Sequence, residues 1–468
     1  MDPTAIFWFI YSFYSATFIW NFYLTLRQYN VYRKTETRPE EVYEIISEED
    51  FGYHRNYYLD KLTFDSYKLV AQKTLSTIIL FCNLIPWLWS ICGRYGLFIK
   101  PESGESFQSV LFILFYAFIE GLIELPFSYY ETFYIDLKHG TKNETVSFFF
   151  IDRAKKFCLI LLISSPLVAA NAWIVQEGGQ YSYIYVWAFV SVYLMLMAFI
   201  YPDVIAPLFD KYTPLQESEL KTKIEALANK IGFPLKNIYV VEESKRSTHS
   251  NAYIFGFWKN KKIVLYDTLL GEEMNKSIQA DQKTESETTT KTSSETFEEE
   301  TNSKTTNKTL EGESLNMQHD EIVAILGHEL GHWCEYHSMW MFIFAELNML
   351  LVFFVFGSLH QQSNLYLAFG FLSSAQQPSL IGILLVSQYV FAPYNELMYS
   401  AACFMKRRCE FAADAFAARL GFVSQLSTGL VKLEENNLSS PINDWLYSAC
   451  KYSHPQVIER LEVLRKFM

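Results

Sequence analysis

The chain has 468 residues, half of them apolar, 17% aromatic and only 19% charged, with a net charge of −12. Soluble domains carry about 25% charged residues, so the three soluble domains that length alone would suggest are excluded in favour of a chain with bilayer-embedded helices. No basic stripe of the kind that tracks phosphates is present, which argues against nucleic acid as a partner.

A helix needs about 20 apolar residues to cross a hydrocarbon core of about 30 Å. In chain order, seven runs approach that length: 6–26, 75–92, 110–127, 157–175, 181–201, 339–359 and 380–403. The second and third are a little short. The first is too long for the apolar core of a signal peptide and lacks its basic flank, so it reads as a retained anchor. Lys and Arg crowd 27–73 and 138–156, whereas 176–180 and 360–379 contain none. By the positive-inside rule the amino terminus is lumenal or outside and the carboxyl terminus cytosolic. The sequons at Asn143, Asn275, Asn307 and Asn437 then lie on the cytosolic side and are expected to stay unmodified. The seven cysteines are scattered and odd in number, consistent with unpaired thiols in a reducing setting.

This reading divides the chain into spans 1–5 with their loops (1–215), a cytosolic protease segment (216–338), spans 6 and 7 (339–405) and a cytosolic tail (406–468). In the second segment Leu220, Ile224, Leu227 and Ile231 recur at helical spacing and stop at Gly232-Phe233-Pro234. "NIYVVEE", "NAYIFGFW" and "KKIVLYD" follow as short strands. A Thr/Ser/Glu/Lys tract at about 274–316 has almost nothing to bury and is expected to be a disordered insert.

The chemistry concentrates in "AILGHELGHWCEYH", starting at Ala324. His328 and His332 stand at i and i+4 and so present two imidazoles on one helix face, a pair of metal ligands. Glu329 lies beside them, placed to take a proton from an attacking water. Chance would produce this pattern in roughly one chain of this length in a hundred. A catalytic zinc ion wants a third protein ligand. The spacing that would supply it from the same segment fails, because Glu335 and Ser338 occupy the required positions and His337 falls one residue short. The best offer is "RRCEFAADAFAARLG" after the seventh run, where Glu410 and Asp414 again share a face at i, i+4. Glu410 is a candidate ligand and Asp414 a candidate acceptor for the outer N–H of a ligating imidazole. A solvated acidic face beside Arg407 and Arg408 is the plainer alternative.

With these motifs in order, the chain resembles the type I CAAX prenyl endopeptidases, the a-factor-converting membrane metalloproteases. The resemblance rests on seven spans, His328-Glu329-Leu330-Gly331-His332-Trp333, Glu410-x-x-x-Asp414, "SNAYIFG" from Ser250, and "SHP" from Ser453 ahead of Glu459-Arg460. It implies a mainly α, polytopic membrane protein of about seven helices, with a gluzincin-like site built from cytosolic segments and a small β element. It implies one zinc ion per chain on His328, His332 and Glu410, with Glu329 activating water and Asp414 supporting the site. Asn251 and Ala252 would lie on an edge strand that pairs with substrate. His454 and Arg460 would hold the scissile carbonyl as it becomes an oxyanion, although on sequence alone His454 could equally cap a helix. Gln456 departs from the family pattern, which often reads Pro there.

The expected substrates are prenylated C-a-a-X peptides or proteins, held at the membrane by their lipid, and the expected products include a further matured prenylated precursor peptide. The expected place is the endoplasmic reticulum membrane, with the inner nuclear membrane as a second location. The site is expected to face the cytosol, with membrane lipid around the chain and a monomeric protein. Two rivals remain at this stage. A seven-helix receptor or transporter shares the topology but leaves the His/Glu pattern unexplained. A membrane quality-control protease without a prenyl requirement would use the same site.

Overall fold

The computed structural model describes residues 2–99, 104–242, 244, 247, 249–256, 260–270, 317–372 and 377–468; the predicted insert lies outside them. Helix α1 (Pro3–Lys34) starts where the Asp2 carboxylate accepts from the Ala5 amide and ends on Arg33 and Lys34, cations that suit a helix C-terminus. Helix α2 (Glu48–Phe81) starts on a Ser47 cap with three acidic residues in its first turn. Helices α3 (Leu84–Ile99), α4 (Glu105–Tyr130), α5 (Val146–Glu177) and α6 (Ser182–Ile200) follow. Then come α7 (Glu219–Lys230) and the motif helix α8 (His319–Cys334). Helix α9 (His337–Leu359) and the short α10 (Ser363–Ala368) and α11 (Ser379–Leu385) lead to the long α12 (Ala392–Arg419). Helices α13 (Val423–Asn436), α14 (Trp445–Lys451) and α15 (Val457–Arg465) complete the chain.

The protein is mainly helical and crosses the membrane several times. Among the described residues four segments are long and apolar enough to span: Glu105–Asp136, Val146–Glu177, Gly179–Leu208 and His337–Leu359. At most 11% of each apolar window is buried inside the protein, too little for core helices. Three predicted runs need correction. The run 6–26 lies within α1, which is not among the segments long and apolar enough to span. The run 75–92 is not one helix: α2 and α3 meet at Cys82–Asn83, with Asn83 left-handed (φ 52°), and their axes bend by 62°. The run 380–403 is also broken. A π-turn (Val386–Val390) follows α11, and α12 restarts at Ala392-Pro393, where the proline has no N–H to continue the ladder.

Carboxylates inside the predicted spans mostly find partners. Glu124 pairs with Lys68. Glu346 accepts from Trp187 Nε1 (3.0 Å) and Ser191 Oγ (2.5 Å), and Glu396 from Asn21 Nδ2 (3.0 Å) and Lys451 Nζ (2.7 Å). These bonds answer the cost of burying charge at membrane depth. Glu120, one turn from Glu124, is exposed instead.

Outside the membrane helices lies a four-stranded sheet of β1 (Tyr212–Pro214), β2 (Leu235–Val241), β3 (Ala252–Phe255) and β4 (Lys261–Tyr266), in the order β1-β2-β4-β3. The three predicted strands are all present; β1, only three residues long, carried no period to read. β2 and β4 run parallel, and β3 is antiparallel to β4, which leaves β3 at the edge. One apolar core joins Ile224 and Leu227 of α7, Ile263 and Leu265 of β4, and Leu326 and Leu330 of α8. A second core, around Trp89, Phe112, Phe356 and Tyr389, knits the membrane helices.

Candidate metal centre

Helix α8 begins with the Gln318 amide donating to Glu321 Oε2 (2.8 Å), and Lys432 of α13 donates to the same oxygen (2.7 Å). Ile322, Val323, Leu326 and Leu330 bury one side of it. Its approach to α12 depends on small residues. A Cβ on Gly331 would stand 3.1 Å from both Ala413 Cα and Phe416 Cβ, and Ala413 and Ala417 are themselves fully buried. This closeness carries Glu410 to the two histidines.

His328 Nε2 lies 3.1 Å from His332 Nε2 and 3.2 Å from Glu410 Oε2, and His332 Nε2 lies 3.5 Å from Glu410 Oε1. The three residues form a group able to hold a metal ion. A tetrahedral ion with bonds of about 2.0–2.1 Å needs ligand atoms about 3.3 Å apart, so the spacing fits zinc without movement of the helices. Two nitrogens and one carboxylate oxygen leave a fourth position open. Glu329, partly exposed, is the next residue of α8 after His328, and the exposed His454 reaches Glu410.

Outside this trio, His328 Nδ1 meets Asp414 Oδ1 at 2.8 Å. Arg460 donates to both oxygens of Asp414, from Nε at 2.8 Å and Nη2 at 2.7 Å, while Nη1 stands 3.9 Å from Glu410 Oε2. Asp414 and Arg460 are both buried. Arg407 fixes α15 and α14 onto α12 by donating to both Glu459 oxygens and to Ser448 Oγ. His454 Nε2 lies 3.4 Å from Glu410 Oε1, and its Nδ1 is 2.9 Å from Ser453 Oγ. Ala252 is buried at the start of β3, which packs against α8. Asn251 stands just before it, its side-chain oxygen accepting from the Ala252 amide (2.8 Å). His328, His332, Glu410, Asp414, His454 and Arg460 thus converge, and Asn251 and Ala252 stand at the strand packed against α8.

One neighbour was not read as part of the site. His337 Nδ1 sits 2.9 Å from His332 Nδ1. Tyr336, left-handed at φ 56°, turns the chain so that His337 is the first residue of α9 and is buried. The sequence shows a histidine five residues after His332 but not the left-handed turn that folds it back. If His332 offers Nε2 to a metal, its Nδ1 proton needs an acceptor, and His337 supplies one. Replacing His337 by Phe is expected to weaken metal affinity by about 10–100-fold, with Asn recovering part of the loss. Chelator competition on the purified chain measures it.

Protonation in the metal-free chain is uneven. Burial and Arg460 pull the His328 imidazole down, but Asp414 and Glu410 outweigh them and raise it to about 9. Burial and the His328 charge lower His332 to about 4. Burial raises the Glu329 carboxyl to about 7. Burial also works against ionisation of Glu410, yet His328 and Arg460 hold it at about 2. At neutral pH His328 therefore carries a proton that a metal must displace, whereas His332 is already neutral. Affinity should rise roughly tenfold per pH unit between about pH 6 and 8 and level off above about 9, with one proton released per ion. Competition titrations across that range check the slope.

Two family models cover the chain. One, described as CAAX prenyl protease N-terminal, five membrane helices, matches residues 28–211; the other, Peptidase family M48, matches residues 214–468. A human protein named CAAX prenyl protease 1 homolog is 42% identical over 454 residues, 96% of this chain and 93% of its own length. The Saccharomyces cerevisiae CAAX prenyl protease 1 is 31% identical over 471 residues, 97% of this chain and 94% of its own. Among solved structures, the S. mikatae Ste24p crystal structure superposes with a TM-score of 0.83 at 30% identity, covering 99% of each chain.

Proposed function

Because this chain belongs to peptidase family M48 and is a membrane metallopeptidase of the CAAX prenyl protease kind, we propose that it removes the C-terminal a-a-X tripeptide from prenylated C-a-a-X proteins. In this reading it uses one zinc ion per chain, held by His328, His332 and Glu410. The observation that carries the reading is this trio at tetrahedral spacing, beside Glu329 and immediately before the membrane helix α9. A prenylated cysteine is held at the bilayer by its own lipid, so the bond after it lies where α8 gives way to α9.

Bound zinc supplies Lewis-acid polarisation of the scissile carbonyl. Glu329 takes the proton of the attacking water and returns it to the leaving amine. Asp414 accepts from His328 Nδ1 and so keeps that ring's Nε2 turned towards the site. His454, exposed beside Glu410, stabilises negative charge on the carbonyl oxygen, and the buried Arg460 cation adds to it from behind Glu410 while it holds Asp414. Ala252 faces the substrate-pairing edge of β3, and Asn251, just before it, holds the Ala252 amide through its side-chain oxygen. The same site would serve further trimming of a prenylated precursor peptide. The division at 215/216, 338/339 and 405/406 belongs to this proposal, as do monomeric assembly, the surrounding lipid, the cytosolic orientation, and residence in the endoplasmic reticulum with the inner nuclear membrane as a second location.

The test is cleavage of a farnesylated C-a-a-X peptide by the purified chain, with products mapped by mass. Release of a-a-X is expected, and an unprenylated copy should be cut more slowly. Equal rates on both peptides would overturn the prenyl requirement and favour the quality-control reading.

A further inference from the structure

The edge of β3 is not free along its whole length. In an antiparallel pair each residue turns its N–H and C=O to one side, and the sides alternate along the strand. Tyr266 N donates to Asn251 O (3.0 Å), so Asn251, Tyr253 and Phe255 face β4. Ser250, Ala252 and Ile254 therefore face outward, to the side where a substrate strand would add. At Ser250 that side is taken. The Ser250 amide donates to Asn437 Oδ1 (2.8 Å), and Asn437 Nδ2 donates to the Ser250 carbonyl (3.2 Å). Asn436 Nδ2 donates to Ser250 Oγ (2.8 Å), and Ser250 is buried. One carboxamide thus makes the pair of bonds that a neighbouring strand would make.

The backbone that delivers this carboxamide is strained. Asn437 closes α13, and the next residue, Leu438, is left-handed at φ 44° without being glycine. Such a conformation persists where its surroundings over-determine it. Here Leu438 N bonds Glu435 O (3.2 Å), Ser439 N bonds Glu434 O (3.1 Å), and His54 Nδ1 meets Ser439 O (3.0 Å). The Asn437 amide nitrogen, although part of an N-x-S sequon, is engaged with Ser250 and so is held away from modification.

We propose that Asn437 sets the register of the substrate. Acting as a surrogate strand, it closes the β3 edge at Ser250 and leaves Ile254 and the carbonyl of Ala252, whose amide is held by Asn251 Oδ1, as the β3 groups that a substrate backbone pairs with. The proposal rests on the edge-strand reading of Asn251 and Ala252 given above. Its physical content is the strand period. A slip of two residues keeps every side chain on its own face, so side-chain fit alone does not forbid it. Opening Ser250 would add a third pairing position two residues along, and a slipped substrate would lose no hydrogen bond. With Asn437 in place the slipped strand meets an occupied edge. Asn437 is a positioning residue: it touches β3 and not the reacting atoms.

The experiment maps the cut bonds, using the full chain and a farnesylated C-a-a-X peptide lengthened by four residues, so that a two-residue slip gives fragments of different mass. Wild type is expected to cut one bond. Asn437→Ala should give a second product displaced by two residues, its share rising by about tenfold or more as one or two competing hydrogen bonds are removed. Asn437→Asp keeps the shape and the acceptor for the Ser250 amide but has no donor for the Ser250 carbonyl, and should fall between. Metal content reports whether each variant retains its fold, and if Asn437→Ala loses metal, Asn437→Asp decides. A single unchanged cut with unchanged KM in a metal-replete variant overturns the proposal. Failure of wild type on the prenylated peptide would instead count against the substrate reading. The same map on an unprenylated peptide then decides the register: slipped products from the variants uphold it and their absence refutes it.

Discussion

Glu329→Gln is expected to keep the full complement of metal and to lose catalysis by about 10²–10⁴-fold in kcat. The substitution is isosteric, and the metal-binding trio of His328, His332 and Glu410 does not include residue 329, so binding should survive. What goes is the acceptor for the water's proton. Burial raises the Glu329 carboxyl to about 7 in the metal-free chain, which matches it to taking and returning a proton near neutrality. A cation on the trio adds positive charge beside it and favours the ionised, proton-accepting form. The check is metal content and single-turnover cleavage measured on the same preparation. Retention of more than about a tenth of wild-type kcat would remove Glu329 from the role of base. Loss of metal would instead say that residue 329 holds the site together.

The parts of the site that were legible in the sequence share a local cause. His328 with His332, and Glu410 with Asp414, sit four apart, and a helix converts that spacing into a shared face whatever the rest of the fold does. The edge strand was legible because "NAYIF" and "KKIVLY" carry β-type residues between turn residues. What joins α8 to α12 was not legible. Gly331 reads as a weak helix former until Ala413 is found 3.1 Å from where its Cβ would be. The same holds for Asn437, whose partner Ser250 lies 187 residues earlier. Membrane helices were legible as apolar runs but not as shapes. The break at Asn83 and the π-turn before Ala392 depend on backbone conformations to which hydropathy is blind. Nor could sequence decide whether the intramembrane carboxylates were paired. Glu346 finds Trp187 at a separation of 159 residues and Glu396 finds Asn21 at 375, contacts set by bundle packing rather than by any period.

Arg460→Met should be the most destabilising single change at this site. Arg460 is 8% exposed, and its guanidinium makes two hydrogen bonds to Asp414, itself fully buried. Burial alone would push the Asp414 carboxyl up, but the Arg460 cation and the bond from His328 hold it well below the usual carboxylate range. That depression makes the pair's contribution present above about pH 4 and lost as the pH falls through the folded-state value. Removing the cation leaves the buried carboxylate with the His328 imidazole as its remaining partner, a loss of up to about 3–5 kcal/mol at neutral pH. Methionine keeps most of the volume, so little of this is cavity. A second change, Asp414→Asn, removes that charge. The double variant should therefore be more stable than Arg460→Met alone by at least about 1 kcal/mol, although it gives up the carboxylate partner of His328 and binds metal 10–100-fold more weakly. Denaturation midpoints of the metal-free wild type, both single variants and the double variant form the cycle. Strict additivity of the two losses would mean that Arg460 and Asp414 stabilise the fold independently, and that α15 is held to α12 by Arg407 and Glu459 rather than by the ion pair beneath the metal ligands.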